Sequence, residues 1–426
     1  MPNRKIQPAI VDAIDFDLQL KPCALFTLDN GVQVYAVDAG ETDVLQIEWV
    51  FYAGNFYEHK NIVAGTTNFM LKNGTHSKNA FAINEHFEYY GAYLNRACYN
   101  ETATITLHCL NKHLPVLLPA VAELITDSIF PEEELAIYKQ NQQQKLTVKL
   151  KKADFIASRT IDTLLYGIQH PYGIYTSHDD YKALERDELV AFYQQFYTKG
   201  KCVLFVGGKL PSNLEQQLNT SFGNLPLNST ALPAVNPVAI PATEKKHHLI
   251  NDENGVQSSI RIARPFPNRH HPDFMKVQVL NTIFGGFFGS RLMSNIREDK
   301  GYTYGIHSFI QNHIQQTSWM VSTEAGRDVC DATIKEVYFE MERLRNEPVP
   351  QEELELVRNF MIGSILGDLD GPFQIIGRWK NYVLNNLTDA YFYKSIDTIK
   401  HITSAEIQAL AIKYLQPDAF YELTVI

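Results

Sequence analysis

Apolar and polar residues alternate along several short runs of the chain, and a period of two is typical of strands with one buried face. The clearest run is Thr102 to Cys109, in which every second residue is apolar. Val32 to Asp38 and Leu45 to Phe51 have the same alternation. Cys202 to Val206 is apolar throughout, as in a strand buried on both faces. These runs predict the strands of one sheet.

Longer segments between these runs have helical spacing or helix-boundary residues, including Pro131 at a helix start and Asn73-Gly74 at a helix end. Five helices are predicted in the first half of the chain: Asn61 to Lys72, Ala80 to Tyr90, Leu114 to Ser128, Pro131 to about Lys151, and Asp187 to Tyr197.

A change of composition divides the chain. Leu225 to Thr243 contains four prolines separated by small residues, which favours an extended linker between domains. Beyond it the order of predicted elements repeats. The strands are Val256 to Ala263, Ser318 to Thr323 and Phe420 to Ile426, and the helices are Asp273 to Phe284, Asp328 to Arg345 and Ser404 to Leu415. We therefore predict two copies of one α+β unit, with domains at residues 1–224 and 246–426 and a linker at 225–245.

Composition narrows the class of protein. The formal net charge is −10 and no long basic run occurs, so nucleic acid is not an expected partner. No apolar stretch is long enough to span a membrane. Met1 to Leu20 has no apolar core of a secretory signal. Five scattered cysteines without metal-site spacing fit a reducing compartment, so we expect a cytoplasmic protein.

Candidate chemistry is concentrated between Asn281 and Ser308. Three glycines are followed by a short amphipathic run, and then by Arg297 and Tyr304. The alternation of Tyr302 to Ile306 predicts a strand, so Tyr304 is expected on or beside a sheet. A guanidinium and a phenol directed into one space suit a polarised carbonyl oxygen. The plainer alternative is a surface arginine and a half-buried tyrosine.

This stretch resembles the second-domain signature of the pitrilysin/insulinase-type zinc metallopeptidases, in the branch of the mitochondrial processing peptidase. The matching residues are Ser290-Arg291-Leu292, Arg297, and Gly301 to Tyr304. The resemblance implies two related α/β-sandwich domains, with mostly antiparallel sheets and helices on one face, closing like a clam shell. It also implies that Arg297 and Tyr304 bind substrate beside a zinc ion.

The family's first domain carries His-x-x-Glu-His on a helix, whose histidines bind zinc while the glutamate activates water. Counted back from Gly74-Thr75, the three motif positions fall on Gly65, Asn68 and Phe69, none of which can serve. A third ligand, a glutamate, is expected on a later helix, yet Leu135 to Ala153 contains no acidic residue. The histidines elsewhere have no zinc-binding spacing, so we expect no metal in this chain.

We therefore expect a non-catalytic subunit that binds unfolded peptide and supplies Arg297 and Tyr304 to a zinc-bearing homologous partner, with zinc only in that partner. The chain could instead pair with itself. Two alternatives stay open: a peptide-binding or scaffold protein with no proteolytic role, and an active peptidase with unrecognised ligands. The second is disfavoured because zinc hydrolysis needs three ligands and a base.

Overall fold

The computed structural model describes residues 11–426. The first ten residues belong to the predicted first domain and to the segment in which no secretory signal is expected, and they lie outside the described part. The first half of the chain contains one six-stranded sheet. Its strands are β1 (Ala24–Thr27), β2 (Gln33–Asp38), β3 (Val44–Phe51), β4 (Tyr93–Cys98), β5 (Ala103–Leu110) and β6 (Cys202–Gly208). Alternate residues of β5 are fully buried, as its apolar pattern predicts.

Eight α-helices accompany this sheet in the part of the first half that the structure describes, and local chemistry explains the start of one of them. The helix that follows Pro131 has three glutamates in its first turn, where they complement the positive end of the helix dipole. The helices are α1 (Val63–Met70), α2 (Ala80–Tyr89), α3 (Leu114–Asp127), α4 (Glu132–Lys149), α5 (Ala153–Tyr166), α6 (His178–Ala183), α7 (Arg186–Tyr193) and α8 (Leu214–Phe222).

The second half contains a five-stranded sheet and six helices. The strands are β7 (Lys246–Leu249), β8 (Gln257–Phe266), β9 (Thr303–Asn312), β10 (Thr317–Gly326) and β11 (Tyr421–Val425). The helices are α9 (Phe274–Asn281), α10 (Cys330–Asn346), α11 (Gln351–Gly367), α12 (Pro372–Leu384), α13 (Asp389–His401) and α14 (Ser404–Tyr414). Thr403 and Glu406 form a capping box at the start of α14.

The two sheets have the same topology. Strands β2-β6-β3-β5-β4 of the first sheet correspond in order to β7-β11-β8-β10-β9 of the second. Among these five strands of each sheet the first pair is parallel and the other three pairs are antiparallel, while the additional strand β1 of the first sheet pairs antiparallel with β2. The order of elements that repeats in the sequence therefore corresponds to two α/β halves with equivalent, mostly antiparallel sheets. None of the described helices is long and apolar enough to cross a bilayer.

Each sheet is covered on one face by helices of its own half and on the other by one helix of the opposite half. Helix α5 packs on β8 and β11, and α12 packs on β2 and β6. Gly207 in β6 permits the approach of α12, because a Cβ atom there would lie 2.7 Å from both Ile376 Cγ2 and the Pro372 carbonyl oxygen. An ion pair also joins the two halves where α12 packs on the first sheet: Lys380 Nζ lies 2.8 Å from the carboxylate of the buried Glu48.

Residues 225–245 form no helix or strand, and part of this linker is held against α5. The backbone N–H of Ile240 donates to the carbonyl oxygen of Tyr166 at 2.9 Å, and that of Ala242 donates to Leu164 at 2.8 Å. The linker is therefore fixed along the interface between the halves.

Candidate functional site

Helix α1, which contains the positions of the family's zinc motif, begins at an unusual turn. Ile62 has a left-handed backbone with φ of 69°, and the Glu58 carboxylate accepts hydrogen bonds from the N–H groups of Ile62 (3.2 Å) and Ala64 (2.8 Å). Burial raises the pKa of the Glu58 carboxyl to about 7, against the lowering effect of these donors, and the charge of Asp180 raises it further. Glu58 thus serves as the side-chain acceptor for the start of α1.

The three motif positions on α1 have different surroundings. Apart from neighbouring residues and the backbone of α1 itself, no atom lies within 4 Å of the position that a Cβ atom of Gly65 would take. Asn68 is 2% exposed, and its Nδ2 donates to the Thr104 carbonyl oxygen at 3.2 Å and to the Tyr197 hydroxyl at 3.1 Å. Phe69 is 40% exposed. Asn68 is therefore committed to the core, whereas Gly65 is half-buried and Phe69 faces the surface.

Two large side chains contact Phe69 where ligands would be needed. Tyr138 on α4 lies with its ring centroid 4.7 Å from that of Phe69. The Arg96 guanidinium carbon lies 5.1 Å from the centroid of the Phe69 ring, and Nη1 donates to the Phe69 carbonyl oxygen. Zinc requires imidazole, thiolate or carboxylate ligands. The motif positions offer none, and a guanidinium beside them would repel a divalent cation.

The rest of the described chain offers no replacement, since no group of three histidine, cysteine, aspartate or glutamate side chains is placed to hold a metal ion between residues 11 and 426. A zinc ion, which the family's motif would imply, does not fit the residues found on α1, β4 and α4. No chemical step in this chain is therefore assigned to a metal.

The second candidate feature, Arg297 with Tyr304, lies in the other half. Arg297 belongs to a wide helical turn, Met293–Asp299, whose apolar residues Met293 and Ile296 are buried. The chain then turns at Gly301, with φ of +64°, into β9. The structure brings the two side chains together: the Arg297 guanidinium carbon lies 5.0 Å from the Tyr304 ring centroid.

This pair is open to solvent. Tyr304 is 89% exposed, and Phe288, whose ring centroid lies 4.8 Å from the Arg297 guanidinium carbon, is 59% exposed. The Arg297 guanidinium forms no ion pair or hydrogen bond with any residue of the described chain; its contacts are with the two rings. Cation–π contacts of this kind hold a guanidinium in place while its N–H donors stay free for a ligand.

The motif positions and the Arg297–Tyr304 pair each lie beside the edge strand of their own sheet. Helix α1 packs on the edge strand β4, and the turn bearing Arg297 packs on the edge strand β9. The pair therefore lies beside the second sheet, and no hydrogen bond, ion pair or ring contact among the described residues joins its side chains to Gly65, Asn68 or Phe69. Within one chain the two features do not form a single site.

Sequence reasoning did not identify Arg96, Tyr138 or Phe288. A signal for Arg96 exists in the strand pattern, because Leu94, Arg96 and Cys98 share one face of β4, and Leu94 is buried there. Arginine is rarely buried without a partner, so an arginine on the inward face of an amphipathic strand indicates a specific contact. No sequence pattern indicates that Tyr138 or Phe288 lies at a candidate site, because this depends on which helix or strand packs against each of them.

Comparison with known protein families gives two matches that together span most of the chain. The model of the insulinase family, peptidase family M16, matches residues 34–165. The model of the peptidase M16 inactive domain matches residues 183–361, which include Arg297 and Tyr304. The first match covers the half with the altered zinc motif.

Curated relatives have low identity but long coverage. The uncharacterized zinc protease YmxG of Bacillus subtilis is 23% identical over 350 residues, covering 81% of this chain and 84% of that protein. The non-peptidase homolog YmxG of Helicobacter pylori is 22% identical over 303 residues, covering 69% of this chain and 68% of that protein.

Solved structures extend the comparison to the whole fold. The peptidase M16 inactive domain from Pseudomonas fluorescens superposes with a TM-score of 0.86 at 26% identity, covering 95% of this chain and 97% of that chain. The periplasmic protease PqqL of Escherichia coli has a TM-score of 0.78 at 15% identity; the match covers 100% of this chain but 48% of PqqL. The resemblance noted in the sequence is confirmed, and the chain belongs to the insulinase family, peptidase family M16, as a peptidase-like protein with the family's inactive domain.

Proposed function

We propose that this protein is the non-catalytic subunit of a two-subunit metallopeptidase. It binds an unfolded peptide and supplies Arg297 and Tyr304 to the active site of a homologous partner that carries zinc. Arg297 would donate a charge-assisted hydrogen bond to a substrate carbonyl. Tyr304 would donate its hydroxyl to the oxygen that gains negative charge when zinc-bound water attacks.

The observation that carries this proposal is the contrast between the two halves. The positions of the zinc motif hold Gly65, Asn68 and Phe69, while the Arg297–Tyr304 pair is assembled, exposed and without another bonding partner among the described residues. An 89% exposed tyrosine beside an unpaired arginine has little value for stability alone. A role toward a second molecule accounts for both side chains.

The match to PqqL supports a paired arrangement. The whole of this chain corresponds to 48% of a single-chain relative of the same fold. A second chain of similar length would supply the other half of such an arrangement. A homodimer would contain no zinc motif, so the proposed partner is a homologue with an intact His-x-x-Glu-His sequence.

One alternative has its own support, a peptide-binding or scaffold protein without proteolytic role, because a relative is named a non-peptidase homolog. Co-expression with a zinc-bearing homologue from the same organism distinguishes the two. The proposal requires a complex on a sizing column that cleaves an unfolded peptide faster than the homologue alone, with zinc in the homologue only.

Substitution of the pair then tests its role. Arg297→Ala is expected to lower turnover by the complex about a hundredfold while leaving assembly and melting temperature unchanged. The matched control is Arg327→Ala, which removes an exposed arginine of the second half whose guanidinium donates to the Glu253 carbonyl oxygen. Two separate monomers at micromolar concentration, or equal turnover by the two variants, would favour the scaffold alternative.

A further inference from the structure

Two basic side chains without an acidic partner lie beside the altered zinc motif. The Arg96 guanidinium contacts the Phe69 ring and carbonyl oxygen, and Lys72 Nζ lies 3.4 Å from the carbonyl oxygen of Leu94. Both side chains therefore reach the same stretch of β4, two residues apart. Neither forms an ion pair with any acidic side chain between residues 11 and 426.

The charges of Lys72 and Arg96 have no ion-pair partner among the described residues and are partly buried. Burial lowers the pKa of Lys72 to about 8, and the neighbouring charge of Arg96 lowers it further. Glu88 acts on Lys72 in the opposite direction, but it forms no ion pair with the lysine. Burial also lowers the pKa of Arg96, to about 10. Two cations held together in a low-dielectric setting repel each other, and a bound anion would remove that cost.

Arg96 also has unused hydrogen-bonding capacity. Its Nε is buried and has no partner, and Nη2 makes no hydrogen bond with a described residue, whereas Nη1 is held by the Phe69 carbonyl oxygen. One nitrogen thus fixes the guanidinium, while Nε and Nη2 have no hydrogen-bond partner among the described residues. Parallel N–H groups of this kind match the geometry of a carboxylate.

The location favours a peptide as the source of that carboxylate. Strand β4 is an edge of its sheet, so its outer backbone groups have no strand partner among the described residues. An extended peptide can pair with such an edge through backbone hydrogen bonds. Phe69 of α1, 40% exposed, provides apolar contact area beside the strand on the face that carries Arg96.

We propose that Arg96 and Lys72 form a carboxylate-binding pocket in the place that the family's motif reserves for zinc, and that it binds an extended peptide through an acidic side chain or the C-terminal carboxylate. This deepens the peptide-binding part of the proposed function, on which it rests, because it identifies the group of the peptide that the chain recognises. It holds whether or not a zinc-bearing partner exists.

Binding of three fluorescein-labelled unfolded decapeptides to the purified chain tests the pocket by fluorescence anisotropy. One peptide has an internal glutamate and an amidated C-terminus, the second has glutamine there and a free C-terminus, and the third has glutamine and the amide. We expect at least one of the first two to bind tenfold or more tightly than the third. Which of them does so identifies the source of the carboxylate.

Substitutions tie that preference to the pocket. Arg96→Ala should abolish the preference for a carboxylate while leaving binding of the neutral peptide unchanged. Lys335→Ala, which removes an exposed charge on α10, is the matched control and should keep the preference. Lys72→Met should reduce the preference severalfold, and it decides the question if thermal melting shows that Arg96→Ala is unfolded. Equal binding of all three peptides, or a preference that survives in the folded pocket variants, would overturn the proposal.

Discussion

Replacement of Asn68 should destabilise the first half, although this residue occupies the position of a catalytic glutamate in the family's motif. The Asn68 amide is 2% exposed and donates to the Thr104 carbonyl oxygen and to the hydroxyl of Tyr197, which is itself fully buried. The amide is therefore a structural donor that connects α1 to β5 and to the turn after α7. Asn68→Ala removes both hydrogen bonds and introduces nothing in their place.

The expected loss follows from the partners left behind. Two hydrogen bonds contribute about 1 kcal/mol each, and the Tyr197 hydroxyl, which has no other partner in the described chain, adds a desolvation cost of about 1 kcal/mol or more. Asn68→Ala should thus lower the free energy of unfolding by about 3 kcal/mol. In a Tyr197→Phe background no hydroxyl is left unpaired, so the same substitution should cost only about 1 kcal/mol.

Urea unfolding followed by tryptophan fluorescence measures these differences. Asn84→Ala is the control, because the Asn84 amide donates only to the carbonyl oxygen of Ala80 in its own helix. It should cost less than about 1 kcal/mol. A loss below about 0.5 kcal/mol for Asn68→Ala, or an equal loss in both backgrounds, would refute the structural role of Asn68.

Three further outcomes are expected. Because the pKa of Glu58 is raised to about 7, the native state binds its proton more tightly than the unfolded state, so stability should fall as pH rises from about 4.5 to 7. Glu58→Gln should flatten that dependence in chemical unfolding series. Lys380→Met should lower the free energy of unfolding by about 3 kcal/mol or more, since it leaves the buried Glu48 unpaired, and adding Glu48→Gln should restore part of the loss in thermal melts. Metal analysis of the purified chain should find less than stoichiometric zinc, and one tightly held zinc per chain would contradict the account.

Much of the fold follows from local patterns. The alternation at Thr102 to Cys109 predicts a strand, and the structure has β5 at Ala103–Leu110. The repeated order of elements on both sides of the linker corresponds to two sheets with equivalent strand order. These features were visible because side-chain periodicity records which face of an element is buried.

Features that depend on distant partners could not be predicted in the same way. The packing of α5 and α12 on the sheet of the opposite half could not be predicted from their sequences, because an apolar helix face does not indicate which sheet it covers. The predicted helix Asp273 to Phe284 ends as a regular helix at Asn281 and continues as a wide turn, Thr282–Gly286. At this turn Gly285 has a non-helical backbone and packs against Ser308 of β9. Local helix propensity carries no information about such a long-range contact.

The candidate site was predictable in part. Arg297 and Tyr304 were singled out by spacing and resemblance, and the structure brings them together, while their role toward a partner's substrate stays a prediction. Arg96 was not singled out, because its place beside Phe69 depends on the packing of α1 against β4.

The central claim is that Tyr304 acts in a zinc site carried by another chain. Its most direct test is the turnover number of the complex formed by the Tyr304→Phe variant and the zinc-bearing homologue, with Tyr89→Phe, an exposed tyrosine of the first half, as control. Phenylalanine keeps the ring that contacts Arg297 and removes only the hydroxyl. We predict a kcat about a hundredfold lower with an unchanged melting temperature and an unaffected control. A kcat equal to that of the unmodified complex would contradict the account.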